Sequence, residues 1–304
     1  MCGIIGVVVK DGARIGENLS QIYEHQKMRG QEGAGFSIAN GKHRFRIRFR
    51  MPTKAIEFAK RQSFKAGDKV LFHHRYPTST PNYPAFNHPI SNEDGSIYLI
   101  HNGHISNSDE LFDKYAETHQ FETMIGDEKG KKKTITDSEV IIHLLEENLP
   151  PEAISGAFKG IVEGFKATAD RLDGTFAIAV SIGEVIYLFK KSNPIVVFRD
   201  PQGNVWFASM FPNGKGYTKI AELEDGELGM LSKVGYTQLK VFDDMKPKEV
   251  HYSNLTMDDL RGFYFSQAQQ EGRCVICGEP TTGYHKYCED CWGMKNKNNK
   301  EVRK

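Results

Sequence analysis

A dense run of short β patterns in the second half of the chain constrains the fold most. Apolar and β-branched residues recur there in segments of about five to seven residues, bounded by turn residues. The predicted strands are 175–181, 185–190, 194–199, 204–208, 227–232 and 236–242. Strands, then helices, then strands again indicate an α+β fold with antiparallel sheets.

The first half of the chain supplies the other strands and the helices. We predict strands at 3–9, 36–39, 44–50, 70–75 and 97–100, a glycine-rich loop at 29–35 and an exposed loop at 125–133. A helix over 17–28 places Leu19, Ile22 and Tyr23 on one side. Thr136–Glu139 resembles a capping box before a helix that runs to Leu149, and the clearest helical spacing covers 154–172.

Composition excludes several classes of protein. The formal charge is +1, so the chain is not a bulk polyanion binder, and any nucleic-acid role needs a local patch. Hydrophobic residues make up 39%, which excludes disorder of the whole chain. We see no apolar run of membrane-spanning length and no signal peptide, so we expect a cytoplasmic protein.

The five cysteines divide into four and one. Cys274, Cys277, Cys288 and Cys291 form two C-x2-C pairs separated by ten residues, which is the pattern of a tetrahedral structural zinc site. Zinc either folds this short segment or shapes it for a partner. The basic residues of the tail leave nucleic acid as a possible partner, although such runs are usually only solvated ends.

The remaining cysteine, Cys2, becomes the first residue if Met1 is removed. Its free α-amine would have an ordinary pKa of about 7.7–8.0 and could act as general base for the thiol. The alternative is a buried cysteine in the first strand, where free cysteine behaves as a small hydrophobe.

Five motifs occur in order along the chain and carry a resemblance to one family. They are MCGIIGV at the start, RGQEGAG at 29–35, HHRYPTSTPN at 73–82, HNGHISN at 101–107 and TDSEVI at 136–141. Together they resemble the class II glutamine amidotransferase domain, as in amidophosphoribosyltransferase and glucosamine-6-phosphate synthase. The resemblance covers roughly residues 2–242. It implies an N-terminal-nucleophile hydrolase fold, a four-layer αββα sandwich, and hydrolysis of glutamine.

The resemblance assigns the catalytic residues. Cys2 matches the nucleophile, while Asn102 and Gly103 match the pair that forms the oxyanion hole. An ordinary Asn-Gly hairpin turn is the alternative for that pair. We interpret His73, His74 and His101 as structural.

The resemblance also assigns substrate contacts, each with a plainer alternative. Arg75 matches the residue that binds the α-carboxylate, or it forms a surface salt bridge. Asp137 matches the acid that pairs with the α-ammonium, or it caps the following helix. Thr78 adds a hydroxyl contact or is a turn residue, and Arg29 lies near the nucleophile. The sequence Thr78-Ser79-Thr80-Pro81 departs from the family pattern, which leaves the contacts of this loop open.

The predicted organisation has four parts. Residues 2–245 form the amidotransferase domain, 246–272 a linker with a short helix, 273–293 the zinc module and 294–304 a basic tail. Only about sixty residues follow position 242, without a phosphate-binding glycine loop. We therefore expect the ammonia acceptor to be a synthase on a separate polypeptide. The alternative is a weak or inactive amidotransferase fold that binds a partner through its zinc module.

Overall fold

The computed structural model describes residues 2–76, 82–126, 133–214 and 216–246, all within one compact unit, Met1–Pro247. Its strands are β1 (Gly3–Val8), β2 (Gly33–Asn40), β3 (His43–Phe49), β4 (Lys69–Arg75), β5 (Ile90–Ser91), β6 (Ile97–Ile105), β7 (Ile125–Gly126), β8 (Lys133–Thr134), β9 (Gly174–Ile182), β10 (Val185–Lys191), β11 (Val196–Arg199), β12 (Val205–Ala208), β13 (Thr218–Glu222), β14 (Glu227–Ser232) and β15 (Gly235–Val241). Its helices are α1 (Ile15–Gln26), α2 (Pro52–Ala59), α3 (Ser108–Tyr115), α4 (Glu139–Asn148), α5 (Pro151–Ile154) and α6 (Ile161–Ala169).

Two antiparallel sheets organise the described residues. One has seven strands in the order β13-β11-β12-β1-β4-β2-β3, and the other has six in the order β15-β14-β10-β9-β6-β5. A two-stranded ribbon, β7-β8, stands apart from both sheets. The prediction of antiparallel sheets is confirmed.

Alternation along the strands divides the core into three parts. Side chains on one face of the seven-stranded sheet, such as Ile5 and Val7, pack on α1 and α2. Odd-numbered residues of β6, such as Leu99, pack with α4 and α6 on the outer face of the six-stranded sheet. Ile4 of β1 and Ile100 of β6 belong to a third cluster, which both sheets share. The sheets therefore pack face to face, with helices outside each.

Two predicted helical features are wrong. The helix predicted over 154–172 divides into α5 and α6, because Gly156 and Gly160 have φ angles of 105° and 83° and interrupt the helix between them. Phe158 in this interruption is 51% exposed. The capping box is also wrong, since α4 begins only at Glu139, which places Ser138 rather than Thr136 at the N-cap, and Ser138 makes no side-chain capping bond. Glu139 instead accepts hydrogen bonds from the backbone of Glu122 and Thr123.

Strand boundaries differ from the prediction at three places. The glycine-rich segment 29–35 is a loop only in part, because β2 begins at Gly33. Strand β6 continues through His101 to Ile105 rather than ending at a turn. Strand β13 was missed because its residues are polar and mostly exposed, as suits an edge strand.

Two arginines of β3, Arg46 and Arg48, are half-buried and paired with an acidic side chain. Strand β3 lies at an edge of its sheet. Arg46 and Arg48 form ion pairs with Glu122 at 2.6 and 2.5 Å. Arg48 also donates to the carbonyl oxygens of Ala85 and Pro89. These arginines therefore join β3 to neighbouring loops.

Some predictions lie outside the described residues. These are the contact of Thr78, the linker after Lys246, the four-cysteine module and the basic tail. No helix in the described part of the chain is long and apolar enough to cross a membrane.

Candidate active site

Strands β1 and β4 bring Cys2 and Arg75 together. The antiparallel register pairs Gly3 with His74, so the next residues along, Cys2 and Arg75, are neighbours at the sheet end. Gly3 is required here, because a Cβ at that position would lie 1.9 Å from the His74 ring. The first strand can therefore approach β4 closely enough to place Cys2 at a pocket.

The thiol of Cys2 lies in a half-buried position in the wall of this pocket. Its Sγ lies 3.8 Å from the carbonyl oxygen of Tyr76. Burial raises the pKa of the Cys2 thiol above its ordinary value, although the positive charge of Arg75 acts in the opposite direction. The thiol is therefore protonated at neutral pH and needs a base in order to attack a carbonyl.

Two arginines approach Cys2 from different elements. Arg29 follows α1, and its Nε donates a hydrogen bond to the carbonyl oxygen of Cys2 at 3.0 Å. Arg75 is 7% exposed, lines the pocket and has its guanidinium 5.9 Å from the centre of the Phe86 ring. Burial lowers the pKa of Arg75, whereas Cys2 and Asp137 raise it. A guanidinium remains charged under such shifts, so the pocket contains a fixed cation.

Asn102 and Gly103 lie inside strand β6, opposite Ala177 and Phe176 of β9. The alternative of a hairpin turn is therefore wrong. Gly103 allows a close approach to the neighbouring strand, because a Cβ there would lie 2.0 Å from the carbonyl oxygen of Thr175. It also contributes to the pocket wall.

The side chain of Asn102 is buried without its full complement of hydrogen bonds. It is 2% exposed, and its Nδ2 has no hydrogen-bond partner among the described residues. Ile100 of β6 and Ile4 of β1 face the layer between the two sheets. Because every second side chain along a strand points to the same face, Asn102 and Cys2 face this layer as well. An unsatisfied buried donor costs about 1–3 kcal/mol, so it is a candidate partner for a ligand oxygen.

Asp137 reaches the pocket from the segment before α4. Its Oδ2 accepts a hydrogen bond from the backbone nitrogen of Ile105 at 2.8 Å, and Nδ1 of His104 lies 3.5 Å away. Burial raises the pKa of Asp137, but His104 and the Ile105 N–H outweigh burial, and the pKa lies below its ordinary value. The pocket therefore holds a carboxylate as well as a guanidinium.

A short hydrogen-bond chain supports that carboxylate. The hydroxyl of Ser138 donates to Oδ1 of Asp137 at 3.2 Å, and Nδ1 of His101 lies 2.8 Å from the same hydroxyl oxygen. Since the single hydroxyl proton points to Asp137, Nδ1 of His101 must be the donor to Ser138. The chain fixes the orientation of Asp137.

Three buried histidines contribute to the wall of the pocket. The ring centres of His73 and His88 are 4.3 Å apart, and those of His88 and His101 are 6.4 Å apart. Burial lowers the pKa of each below the ordinary value. The three rings are therefore uncharged at neutral pH.

Comparison with known proteins identifies the family of this domain. The family model described as a glutamine amidotransferase domain matches residues 79–213. Isomerizing glutamine–fructose-6-phosphate aminotransferase of Pyrococcus horikoshii is 30% identical over 269 residues, which cover 85% of this chain and 41% of that protein. This chain contains a class II glutamine amidotransferase domain.

A further relative and a solved structure agree with this domain. The aminotransferase of the same name from Sulfolobus acidocaldarius is 31% identical over 240 residues, covering 76% of this chain and 37% of that protein. The chain thus spans about two fifths of the length of these curated relatives. The B. subtilis glutamine phosphoribosylpyrophosphate amidotransferase structure has a TM-score of 0.61 at 20% identity, covering 80% of this chain and 50% of that one. It supports the fold of the amidotransferase domain.

The structure brings most of the predicted site residues together. Cys2, Arg75, Gly103 and Asp137 line one pocket, Asn102 adjoins Gly103, and Arg29 contacts Cys2 from behind. The sequence interpretation missed other residues of the wall, which are Tyr76, Phe86, His88, Thr136 and Ser138. Thr136 and Ser138 lie inside a recognised motif, whereas Phe86 and His88 lie in a proline-rich loop without periodicity.

Proposed function

We propose that this domain hydrolyses glutamine to glutamate and ammonia through a thioester on Cys2. The observation that carries the proposal is the buried Nδ2 of Asn102, which lacks a hydrogen-bond partner in the described part of the chain. A developing oxyanion would satisfy this donor, and stabilisation of that kind is usually the largest single contribution to acyl transfer.

The first step requires that Met1 is removed. The α-amine of Cys2 then takes the thiol proton, which the raised pKa of the buried thiol makes necessary. The sulfur attacks the side-chain amide carbon of glutamine and forms a tetrahedral intermediate. Its oxyanion is stabilised by Asn102 and by the backbone of Gly103.

The second step releases ammonia. The α-ammonium of Cys2 returns its proton to the leaving nitrogen, the C–N bond breaks, and glutamate remains attached as a thioester. Water, deprotonated by the same amine, attacks the thioester carbon. The C–S bond then breaks, and glutamate and the free thiol are regenerated.

The charges of the pocket suit an α-amino acid. In the proposal, Arg75 binds the α-carboxylate and Asp137 binds the α-ammonium, with Thr78 and Arg29 as further contributors. One buried cation and one buried anion line the same pocket as the thiol. An amide substrate without an α-amino acid group would leave both charges without a ligand partner, which argues against a hydrolase of another amide class.

In the same proposal, the ammonia passes to a synthase on a separate polypeptide. It also assigns one structural zinc to Cys274, Cys277, Cys288 and Cys291, because four thiolates suit tetrahedral zinc and leave no open position. Such an ion could not activate water, so we assign the zinc module to partner binding, with nucleic acid as a further possible partner.

Glutamate release by the purified protein tests the proposed activity. A glutamine-analogue electrophile should label Cys2, and mass spectrometry should show that the labelled peptide lacks Met1. The other four cysteines serve as internal controls and should stay unlabelled. Cys2→Ala should abolish both reactions, and labelling that survives in this variant would exclude the mechanism.

A further inference from the structure

Four side chains with metal-binding donors converge on the outer side of the six-stranded sheet. They are Glu93 in the turn between β5 and β6, His119 after α3, and His143 and Glu146 on α4. His143 and Glu146 are three residues apart on the helix and therefore share one face. None of these residues belongs to the pocket of Cys2.

The donor atoms lie close enough for one ion. Nδ1 of His119 is 3.2 Å from Oε1 of Glu93 and 3.7 Å from Oε2 of Glu146. Nδ1 of His143 is 3.1 Å from the same Glu146 oxygen and 3.9 Å from the same Glu93 oxygen. All four donors lie within 4.8 Å of one another. In a tetrahedral zinc site, donors at about 2.1 Å from the metal are about 3.4 Å apart.

The surroundings hold these side chains in place. Nδ2 of Asn92 donates to Oε1 of Glu146, and the backbone nitrogen of Gln120 donates to Oε1 of Glu93. The other ring nitrogen of His143 faces the buried carboxylate of Glu139 at 3.9 Å. At this distance Glu139 acts on His143 through its charge and not through a hydrogen bond.

Burial and charge also suit a cation. The side chain of His143 is fully buried, those of His119 and Glu146 are 16% and 17% exposed, and that of Glu93 is 34% exposed. The cluster is thus closed on its inner side and open near Glu93, which provides an entry path. Three carboxylates, of Glu93, Glu139 and Glu146, surround two imidazoles, so a divalent cation would reduce their mutual repulsion.

We propose that Glu93, His119, His143 and Glu146 bind one zinc ion, separate from the four-cysteine module. Two imidazole and two carboxylate donors suit zinc. The ion replaces the protons that Nδ1 of His119 and Nδ1 of His143 share with the carboxylates, and these protons pass to solvent. With four protein donors the ion has no open position, so its role is structural.

The zinc would join two other segments of the chain to the helix that follows Asp137. Glu93 precedes β6, His119 follows α3, and the other two ligands are on α4. Helix α4 begins directly after Asp137 and Ser138. The ion would thus stabilise the element that positions the proposed ammonium-binding carboxylate, while the inference itself does not depend on the proposed activity.

Zinc content of the full-length chain tests this site. After loading with Zn²⁺ and removal of free metal, His119→Ala should hold one zinc fewer per chain than the unmutated protein. Glu93→Gln, at an exposed position, should weaken binding of that ion at least tenfold. His43→Ala is the matched control, because His43 is exposed on β3 and should leave the zinc content unchanged.

Diffraction at the zinc absorption edge locates the ion. Crystals of the loaded protein should show an anomalous peak about 2.0–2.2 Å from donors of all four residues. Equal zinc content in His119→Ala and the unmutated protein, or the lack of an anomalous peak between these side chains, would overturn the proposal. The cluster would then be an ion-pair network between protonated histidines and carboxylates.

Discussion

The carboxylate of Asp137 accepts a hydrogen bond from the backbone N–H of Ile105 at 2.8 Å. This bond joins the segment before α4 to the end of β6, two residues beyond Gly103. The carboxylate proposed for substrate binding and the strand proposed for the oxyanion hole are therefore held in one geometry. Precise placement of this kind is what positions a substrate for attack.

Asp137→Asn should weaken glutamine binding more than turnover. Asparagine keeps an oxygen that can accept from Ile105, but it removes the charge offered to the α-ammonium. A hydrogen bond to a charged group contributes about 1.5–3 kcal/mol, so KM should rise roughly 10- to 100-fold. Steady-state glutaminase kinetics measure this change.

Asp109→Asn is the matched control, since Asp109 is exposed on α3. It should leave KM unchanged. A fall in kcat with constant KM in Asp137→Asn would contradict the assignment.

Asn102→Ala should instead reduce turnover. An oxyanion donor acts mainly in the transition state, and removal of one donor typically lowers kcat about 10²- to 10³-fold. KM should change by only a few-fold. Steady-state kinetics of this variant measure the change, and Cys2→Ala gives the background rate. A change in KM with unaltered kcat would refute the oxyanion role.

The ordered motifs selected residues most of which the structure brings to one pocket, whereas the local structure of these residues was predicted less well. Ordered motifs indicated Asn102 and Gly103, but periodicity ended the strand at position 100, because His101 and Asn102 are polar. The structure shows that these polar residues continue β6, since pairing with β9 extends to Gly174. Tertiary pairing outweighed the local preference of Asn-Gly for turns.

Long-range contacts explain the other differences. Glu139 looked like half of a capping box, but its carboxylate binds the backbone of Thr123, sixteen residues earlier. A contact at that separation is invisible to a local pattern. By contrast, the interruption before α6 could have been predicted from Gly156 and Gly160, because two glycines four residues apart weaken any helix.

Stability should fall as the pH decreases from about 6.5 to about 4. Burial lowers the pKa of His74 to about 4, and His73 and His88 shift in the same direction. Below pH 6.5 the unfolded chain takes up protons that the folded histidines do not. Each such histidine therefore lowers the free energy of unfolding by up to about 1.4 kcal/mol for each pH unit, until the pH reaches its pKa in the folded protein.

Urea midpoints between pH 6.5 and pH 4.5 measure this effect. His104 and His143 do not mask it in this range, because neighbouring carboxylates raise the pKa of both, and stability from such a shift is constant below pH 6.5. His74→Asn should reduce the pH slope, since an amide can donate to the carbonyl oxygen of Gly30 as Nδ1 of His74 can. His43→Asn, at an exposed position, should not. Equal slopes in both variants would contradict the prediction.

A shortened chain that ends at Pro247 should keep one of the two proposed metal sites and lack the other. The compact unit Met1–Pro247 contains the pocket of Cys2 and the cluster of His119 and His143, but none of the four cysteines near the C-terminus. Glutamine hydrolysis needs the thiol, its amine, an oxyanion hole and the substrate contacts, and a zinc saturated by four thiolates could supply none of these. Basal glutaminase activity of the shortened chain should therefore stay within a few-fold of the full-length value, while delivery of ammonia to the acceptor enzyme is lost.

Elemental analysis should find one zinc in the shortened chain and two in the full-length chain. A shortened chain that folds, by circular dichroism, but has lost glutaminase activity would instead place the cysteine module in support of the active site.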